Sequence, residues 1–182
     1  MLKTKWNIAQ TYLELVKEHS LLNVTNDDII NHSDVSRGTF YNNFNGQKSI
    51  QDYIQEKIAN DIITPIKDDL DTREINTNDI HQAVLDISDS LIPTLYHHRE
   101  MIKLLNDCEL NHIWEDLLLD VMTEYMAPVL KNNRGSIKND RIMLNYINLI
   151  IESWITEDNP TDPEAFKAIL YQLSKQSITQ LL

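Results

Sequence analysis

Residues 36–44, Ser-Arg-Gly-Thr-Phe-Tyr-Asn-Asn-Phe, gather hydrogen-bonding side chains into one short predicted helix. The side chains are those of Ser36, Arg37, Thr39, Tyr41, Asn42 and Asn43. Hydroxyl, amide and guanidinium groups of this kind bond to phosphate oxygens and to the edges of bases. The chemistry predicted by this segment is therefore recognition of DNA through hydrogen bonds, in which no covalent bond changes.

The stretch before this helix has the signals of another helix and a tight turn. Thr25 can cap a helix over residues 25–32, and Asp28 can answer it in a capping box. Asp34 stands where the turn needs a left-handed backbone, and Ser36 is a favourable N-cap for the helix that follows. Two short helices joined by such a turn predict a helix-turn-helix. The alternative is an ordinary connector in a helical protein.

The second helix of this pair has an apolar face and an interior glycine. Phe40 and Phe44, four residues apart, share a face and are expected to anchor the helix in the core. Gly38 costs up to about 1 kcal/mol relative to alanine at an interior helix position. A glycine there is reasonable if the backbone must lie close to DNA.

Residues 3–58 resemble the TetR/AcrR family of bacterial transcription regulators. The resemblance rests on Thr25, Ile29, Val35-Ser36-Arg37-Gly38-Thr39-Phe40-Tyr41 and Phe44, followed by Ile50 at the start of a long helix. It implies a DNA-binding head, a homodimer made by the last two helices as a four-helix bundle, and an inducer site in the remaining domain.

The chain departs from the family pattern at several positions. The family usually has glycine at the places of Ser20 and Asp34, and His or Tyr at the place of Asn43. A family lysine that clamps a phosphate at the start of the fourth helix is here Gln47, with Lys48 one position later. We expect Lys48 to take over that contact.

We predict a DNA-binding surface in which base contacts and phosphate contacts are divided. Arg37, Thr39 and Asn42 are the candidates for base contact. The expected phosphate contacts are Thr25, Tyr41, Asn43 and Lys48, and the surface also includes Ser36 and Gly38.

Length and composition favour an all-α protein. The chain has 182 residues with only three glycines and five prolines, and amphipathic stretches at helical spacing recur throughout. We expect about nine helices, a helix-turn-helix DNA-binding domain over residues 1–48, and a helical ligand-binding and dimerisation domain over residues 49–182. Pro65 should end or kink the fourth helix, Thr77 should cap the fifth, and Pro93 should bend or end it.

The charge is unevenly distributed. Residues 1–50 hold five basic and five acidic side chains, and the rest holds 11 basic and 23 acidic ones, which gives the net charge of −12. Because phosphate neutralisation supplies most non-specific affinity for DNA, a neutral head predicts weak non-specific binding. The acidic body should point away from the duplex.

The sequence predicts a cytoplasmic protein. No long apolar run follows the first lysines, so we expect neither a signal peptide nor a membrane span. The single cysteine, Cys108, fits a reducing compartment, and we expect a half-buried thiol rather than a redox sensor.

The two final helices predict a surface for self-association. Residues 141–155 are apolar on most helical faces, and such a helix must be covered on more than one side. Asp162 and Pro163 should start the last helix. The expected homodimer interface comprises Ile147, Ile151, Phe166, Ile169, Leu170 and Leu173. Closure of the chain's own core is the alternative.

The central helices could hold a small apolar or aromatic ligand. Aromatic and methionine side chains around few polar groups are typical of such sites, although an ordinary core has the same composition. The candidate pocket residues are Tyr96, Leu105, Trp114, Leu118, Met122, Tyr125, Tyr146 and Trp154.

No pattern in the sequence favours catalysis, a cofactor or a metal ion. His97, His98 and His112 with their acidic neighbours match no familiar ligand spacing, and surface histidines are the simpler interpretation. A phosphate-binding glycine loop and a nucleophile motif are missing from the sequence.

The combined prediction is a ligand-responsive repressor that is not an enzyme and that binds a pseudo-palindromic operator as a homodimer. An inducer between helices 4 and 8 would shift the spacing of the two heads. The alternative is a co-activator or adaptor of the same fold, acting mainly through a protein partner.

Overall fold

The computed structural model describes residues 2–132 and 140–181, whose regular structure is helical. The α-helices in chain order are α1 (Leu2–His19), α2 (Asn26–His32), α3 (Arg37–Asn43), α4 (Gln47–Ile58), α5 (Thr64–Leu70), α6 (Ile80–His97), α7 (Arg99–Asp107), α8 (His112–Asn132), α9 (Asp140–Ile155) and α10 (Pro163–Leu181). A 3-10 turn, Leu21–Asn23, lies between α1 and α2. The described ranges contain no strand, and the all-α prediction is confirmed.

The helix that begins after Gly46 continues past Pro65. A π-helical turn, Ala59–Ile63, connects α4 to α5 without a break, so residues 47–70 form one continuous helix. Counted this way, the described ranges hold nine helices, as predicted. Pro65 does not end the helix; it directly follows the π-helical turn, an irregularity of the hydrogen-bond ladder of the kind found where a helix accommodates a proline. Pro93 does not end α6 either, which continues to His97.

Asp residues cap two of the later helices. Asp79 is the N-cap of α6, and its carboxylate accepts hydrogen bonds from the backbone N–H groups of His81 at 2.9 Å and Gln82 at 3.2 Å. The prediction of Thr77 at this place was wrong, since Asp is the stronger capping residue and lies two positions closer. Asp162 starts α10 as predicted, accepting from the N–H groups of the second and third residues after it.

The chain divides into two compact units. The first comprises the residues up to Asn60 together with Glu100–Trp114, and the second comprises Asp61–Arg99 together with the residues from Glu115 onward. The first unit holds α4 as well as the helix-turn-helix. The functional boundary between residues 48 and 49 stays a prediction.

The first unit is built on the apolar faces of α1 and α4. Ile8, Tyr12 and Leu13 of α1 are fully buried, as are Ile50 and Ile54 of α4. The Gln51 side-chain amide donates a hydrogen bond to the Tyr12 hydroxyl at 2.7 Å, so the buried phenol keeps a polar partner. This packing gives the helix-turn-helix a rigid support.

Cys108 is a structural thiol in the first unit. It is 2% exposed, less than the half-buried state expected, and its Sγ donates to the Leu13 carbonyl at 3.0 Å. Burial raises the pKa of the Cys108 thiol to about 11, with the Asp107 charge as a smaller cause. A thiol that stays protonated at neutral pH is a poor redox sensor.

The second unit is held by an aromatic stack and by polar contacts. The rings of Trp154 and Phe166 are parallel within 4°, with centroids 4.0 Å apart, which joins α9 to α10. The Asp69 carboxylate of α5 accepts from the Ser90 hydroxyl of α6 and from Arg73 Nε. The hydroxyl of Ser90, followed by Arg73, holds the pKa of Asp69 below its usual range. These contacts fix α6, which lines the pocket described below.

A membrane-spanning helix is not found among the described residues: none of their helices combines the length and the apolar character that a crossing needs.

Candidate functional site

The two helices of the predicted helix-turn-helix are capped as expected. Thr25 Oγ1 accepts from the Asp28 N–H at 3.2 Å, and the Asp28 carboxylate accepts from the Thr25 N–H at 2.9 Å, which completes the capping box. The Thr25 hydroxyl also donates to the Asp28 carboxylate at 2.5 Å, and this bond, followed by the one from the Thr25 N–H, holds the pKa of Asp28 below its usual range. Ser36 Oγ accepts from the Thr39 N–H at 3.0 Å and so caps α3.

The turn between α2 and α3 is held by local hydrogen bonds. Asp34 has φ of 54°, so the predicted left-handed backbone is confirmed. The buried Ser33 hydroxyl donates to the Ile29 carbonyl at 2.6 Å, and Asn7 of α1 donates to the Ser33 carbonyl at 2.9 Å. Ser20 also has a positive φ, 68°, at the other position where the resemblance implies glycine.

One face of α3 is anchored in the core of the first unit. Phe40 is fully buried and Phe44 is 3% exposed. Their ring centroids are 6.5 Å apart, and Phe44 meets Tyr53 of α4 edge-on at 5.6 Å. Lys5 Nζ lies 5.7 Å from the Phe44 ring centre. Because this face is fixed, the opposite face of α3 has a defined orientation.

The opposite face of α3 is polar and exposed. Arg37, Gly38, Tyr41 and Asn42 all lie there, and half of the Tyr41 surface is accessible at 50%. Within the described ranges, the Tyr41 hydroxyl and the Asn42 amide have no hydrogen-bond partner. A methyl group built on Gly38 would meet only Ser36 Oγ, at 3.8 Å, so the fold itself does not require a glycine here.

Thr39 and Asn43, both predicted to contact DNA, form hydrogen bonds within α3 or with its N-cap. Thr39 is half-buried, and its hydroxyl lies 2.9 Å from that of Ser36. Asn43 is half-buried and donates to the Thr39 carbonyl at 2.7 Å. Base contact by Thr39 and phosphate contact by Asn43 stay predictions, and each would need a change of side-chain partner or a second, unused donor.

The start of α4 separates the roles of Gln47 and Lys48. The Gln47 amide points inward and donates to the Val24 carbonyl at 2.5 Å, so it braces the chain before α2. Lys48 is exposed, with 80% of its side chain accessible, and its ammonium lies 2.8 Å from Asp52 of the same helix. Of the two, Lys48 is therefore the one that faces solvent.

Arg37 of α3 and Lys48 of α4 each have a carboxylate partner that was not predicted from the sequence. Arg37 Nη2 donates to Asp27 Oδ2 of α2 at 2.9 Å, and Lys48 pairs with Asp52. The bond to Asp27 raises the pKa of Arg37. The spacing of four residues could have indicated the Lys48–Asp52 pair. No local signal indicates Asp27, because its partner lies beyond the turn.

The second unit contains an apolar pocket between α6, α8, α9 and α10. The space between these helices, about 310 Å³, includes open solvent, so the enclosed cavity is much smaller. The lining residues are Val84, Ile87, Ser88, Leu91, Met122, Met126, Ile147, Ile151 and Leu170. Ser88 supplies the single hydroxyl of this lining, and that hydroxyl donates to the Val84 carbonyl.

Of the eight predicted pocket residues, Met122 lines this pocket and the other seven lie outside it. Leu105 and Trp114 belong to the first unit, where Trp114 Nε1 donates to Asn106. In the second unit, Leu118 is fully buried and Tyr146 is 38% exposed.

The two remaining aromatic candidates have partners of their own. Tyr96 stacks on Trp154, with centroids 5.8 Å apart. Tyr125 donates to the Asp71 carboxylate, and burial together with that bond raises its pKa. Composition alone could not separate lining residues from core residues, because both are apolar and buried.

The residues predicted for self-association divide into buried and exposed groups. Ile147, Ile151, Phe166 and Leu170 are buried within the single chain, and three of these line the pocket. Leu173 is half-buried and Ile169 is 45% exposed. The exposed apolar side chains of α9 are instead Ile142, Tyr146 and Leu149. The predicted interface stays a prediction, and of its six residues Ile169 is the exposed one.

In the described part of the chain, no group of three or more His, Cys, Asp or Glu side chains is arranged to hold an ion. His97 and His98 meet edge-on, with ring centroids 4.8 Å apart.

Comparison with known proteins gives a fold. No family model matches the chain, and no curated protein sequence matches it. A solved structure from Syntrophomonas wolfei, described as a TetR-family transcriptional regulator, is 20% identical and covers 99% of this chain and 97% of its own, with a TM-score of 0.65. The fatty acid degradation regulator FadR from Bacillus halodurans is 16% identical over 93% of each chain, with a TM-score of 0.61.

A third structure, the dihydroxyacetone kinase operon activator DhaS, is 16% identical over 98% of each chain, with a TM-score of 0.51. Because these structures match over nearly their whole length, the chain has the fold of a TetR-family regulator.

Proposed function

We propose that this protein is a cytoplasmic, DNA-binding transcriptional regulator that binds an operator as a homodimer and acts as a ligand-responsive repressor. The observation that carries the proposal is the outer face of α3, where Arg37, Tyr41 and Asn42 are exposed beside a glycine that the fold does not require. Residues 1–48 would bind DNA, and residues 49–182 would hold the ligand and form the dimer.

The proposed contacts follow from exposure. Arg37 and Asn42 reach base edges in the major groove, while Tyr41 and Lys48 donate to phosphates. Thr25 and Ser36 stand at helix starts, where backbone N–H groups favour a phosphate. Thr39 and Asn43 are half-buried and hydrogen-bonded within α3 and to its N-cap. They contact DNA only through side-chain donors that these hydrogen bonds do not use.

The proposed dimer uses the exposed apolar side of the last two helices. Ile142, Tyr146 and Leu149 recur at helical spacing on α9, with exposures of 57%, 38% and 61%, and Ile169 adds to them from α10. Burying them against a second copy would remove apolar surface from water, at about 25 cal/mol per Å². Two-fold symmetry would then present two copies of α3 to successive major grooves.

Binding of the purified protein to the DNA flanking its own coding region tests the proposal. We expect saturable binding by a dimer that weakens as salt rises. Tyr41→Ala should weaken binding by the dimer about tenfold at every sequence, through loss of two phosphate contacts, one per protomer, each worth about 0.7 kcal/mol. Sedimentation should show an unchanged dimer, because Tyr41 is far along the chain from α9 and α10.

The matched control for that variant is Gln10→Ala, an exposed position of α1 in the same unit. This control should bind like the parent. A Tyr41→Ala protein that binds as tightly as the parent would contradict the proposed DNA-binding face.

The apolar pocket is the proposed ligand site. Eight of its nine lining side chains are apolar and none is charged, so an uncharged apolar or aromatic molecule fits it best. A buried carboxylate would lose its hydration without gaining a partner there. A ligand that prefers one spacing of the two heads shifts the population of DNA-bound dimers.

Substitution at Ser88 tests that site with a matched pair of variants. Ser88→Leu should fill the pocket, whereas Ser88→Ala leaves the space open. We expect 1-octanol to raise the Tm of the parent and of Ser88→Ala by several degrees, but not that of Ser88→Leu. Octanoate, with the same chain length and a charge, should raise none of them. Equal shifts for the two variants would exclude this pocket as the site.

The second candidate function is a co-activator or adaptor that works through a protein partner. The paired state of Arg37 and Lys48 favours it, because the head offers little free positive charge to a duplex. One structural neighbour is named as an operon activator. A stoichiometric protein partner together with no operator affinity would support this candidate, and release from DNA by a ligand would exclude it as the main role.

A further inference from the structure

The proposed DNA-binding face has a feature that its fold does not need. Arg37 and Lys48, its two exposed cations, each lie within 3 Å of a carboxylate, at 2.9 Å for Asp27 and 2.8 Å for Asp52. All four side chains are more than half exposed, and ion pairs this exposed add little to stability. Neither carboxylate takes part in the capping box of α2, which uses Asp28.

Both carboxylates would lie beside the phosphate backbone if α3 enters a groove. A protein gains non-specific affinity for DNA by releasing counterions, in proportion to the phosphates that it neutralises. A carboxylate at 3 Å from a cation cancels most of that gain. The residues up to position 50, with five basic and five acidic side chains, therefore have little attraction for random sequence.

The Asp27–Arg37 pair also orients a side chain that reads bases. The guanidinium has five N–H donors, so it can keep its bond to Asp27 and still offer a pair of donors to a guanine edge. Held by α2, the side chain of Arg37 loses less conformational freedom when it binds. On a sequence without a matching acceptor, the carboxylate remains close to DNA with nothing to offset its repulsion.

We infer that Asp27 is a specificity-determining residue, which positions Arg37 for a base contact and repels DNA that lacks the matching base. Asp52 differs from it, because its partner Lys48 is proposed to touch only phosphate. Removing the Asp52 charge strengthens binding to all sequences alike, whereas removing the Asp27 charge strengthens binding to random DNA alone. The inference rests on the proposed function, since it needs α3 to bind DNA.

The test compares Asp27→Asn, Asp27→Glu and Asp52→Asn in the full chain. Each is titrated against two duplexes, a random sequence and the sequence that the parent enriches most strongly from a random pool. At 0.15 M salt, each added net positive charge should raise affinity for random DNA about fivefold and steepen the salt slope by about 0.9, so a dimer, which gains two such charges, should bind about 25-fold more tightly with a slope steeper by about 1.8.

For Asp27→Asn we expect that gain of about 25-fold on random DNA with an equal or lower affinity for the enriched sequence, so the specificity ratio falls about 25-fold or more. Asp27→Glu should restore the parent's ratio, because it restores the charge. Asp52→Asn should raise both affinities and leave the ratio unchanged. Unchanged far-ultraviolet circular dichroism and Tm would show that α2 is intact in all three.

An Asp27→Asn protein with the parent's ratio and salt slope overturns the inference while leaving the proposed function in place. A ratio that falls equally in Asp27→Asn and Asp27→Glu also overturns it, since that result reflects a structural defect. Failure of the parent to enrich any sequence overturns the inference and the proposed function together.

Discussion

Replacing Gly38 by alanine should stabilise the protein and weaken its binding to DNA, two effects of opposite sign. In a helix interior alanine is favoured over glycine by about 1 kcal/mol; Gly38 is the second residue of α3, so we expect a gain below that figure, and a methyl group at position 38 has open space within the protein. If the α3 backbone lies against a duplex, the same methyl group prevents that approach. We expect operator affinity to fall tenfold or more, about 1.4 kcal/mol.

The two effects are measured by urea denaturation and by DNA titration of the same preparations. Gly46→Ala is the contrasting variant, because Gly46 has φ of 143°, a backbone conformation that alanine adopts only under strain. It should lose stability where Gly38→Ala gains it. A Gly38→Ala protein with parental DNA affinity would show that the backbone at this position does not approach DNA.

Removal of the Phe40 ring should have the largest effect on stability. Phe40 is fully buried and contacts both Tyr41 and Phe44 through its ring, so Phe40→Ala leaves a cavity beneath α3. Truncating a buried phenylalanine typically costs about 3–5 kcal/mol. We expect the urea midpoint of the transition followed by circular dichroism to fall accordingly, and DNA binding to fall with it.

Phe40→Leu retains most of the apolar volume and serves as the control, with an expected loss of about 1–2 kcal/mol. Tyr41→Ala, on the exposed side of the same helix, should leave the midpoint nearly unchanged. Similar losses for Phe40→Ala and Tyr41→Ala would contradict the assignment of inner and outer faces to α3.

Signals that depend on a few neighbouring residues were predictable from the sequence. The caps at Thr25, Ser36 and Asp162 and the left-handed Asp34 all follow from backbone groups within four positions. The apolar spacing of Phe40 and Phe44 likewise fixed the buried side of α3. These interactions join residues that are close in sequence, so they can be predicted without knowledge of tertiary contacts.

Features that depend on tertiary contact were not predictable. Gln47 looked like a lost phosphate contact, but its amide reaches the Val24 carbonyl 23 positions earlier. Asp27 looked like a favourable residue for the start of α2, and its bond to Arg37 depends on the path of the turn. In both cases the partner is selected by the packing of helices, which hydrophobic spacing does not encode.

The lining of the pocket and the packing of α9 and α10 were also not predictable from the sequence. Residues 141–155 are apolar on most helical faces. This pattern predicts burial but does not identify the helices that cover each face. In the structure, one side of α9 is buried in its own unit through Ile147 and Ile151, and another side remains exposed through Ile142 and Leu149. Which apolar side chain faces a cavity depends on the helices opposite, so a single helix pattern cannot give it.

α9 therefore constrains how this protein could change over evolution. Ile147 and Ile151 line the pocket, and Tyr146 and Leu149, their neighbours on the same helix, are exposed in the single chain. A substitution that adapts the cavity to a new molecule would act on the helix that also carries these exposed side chains. On the proposed function, ligand preference and self-association are then inherited together, and a lineage that altered one would need compensating changes in the other.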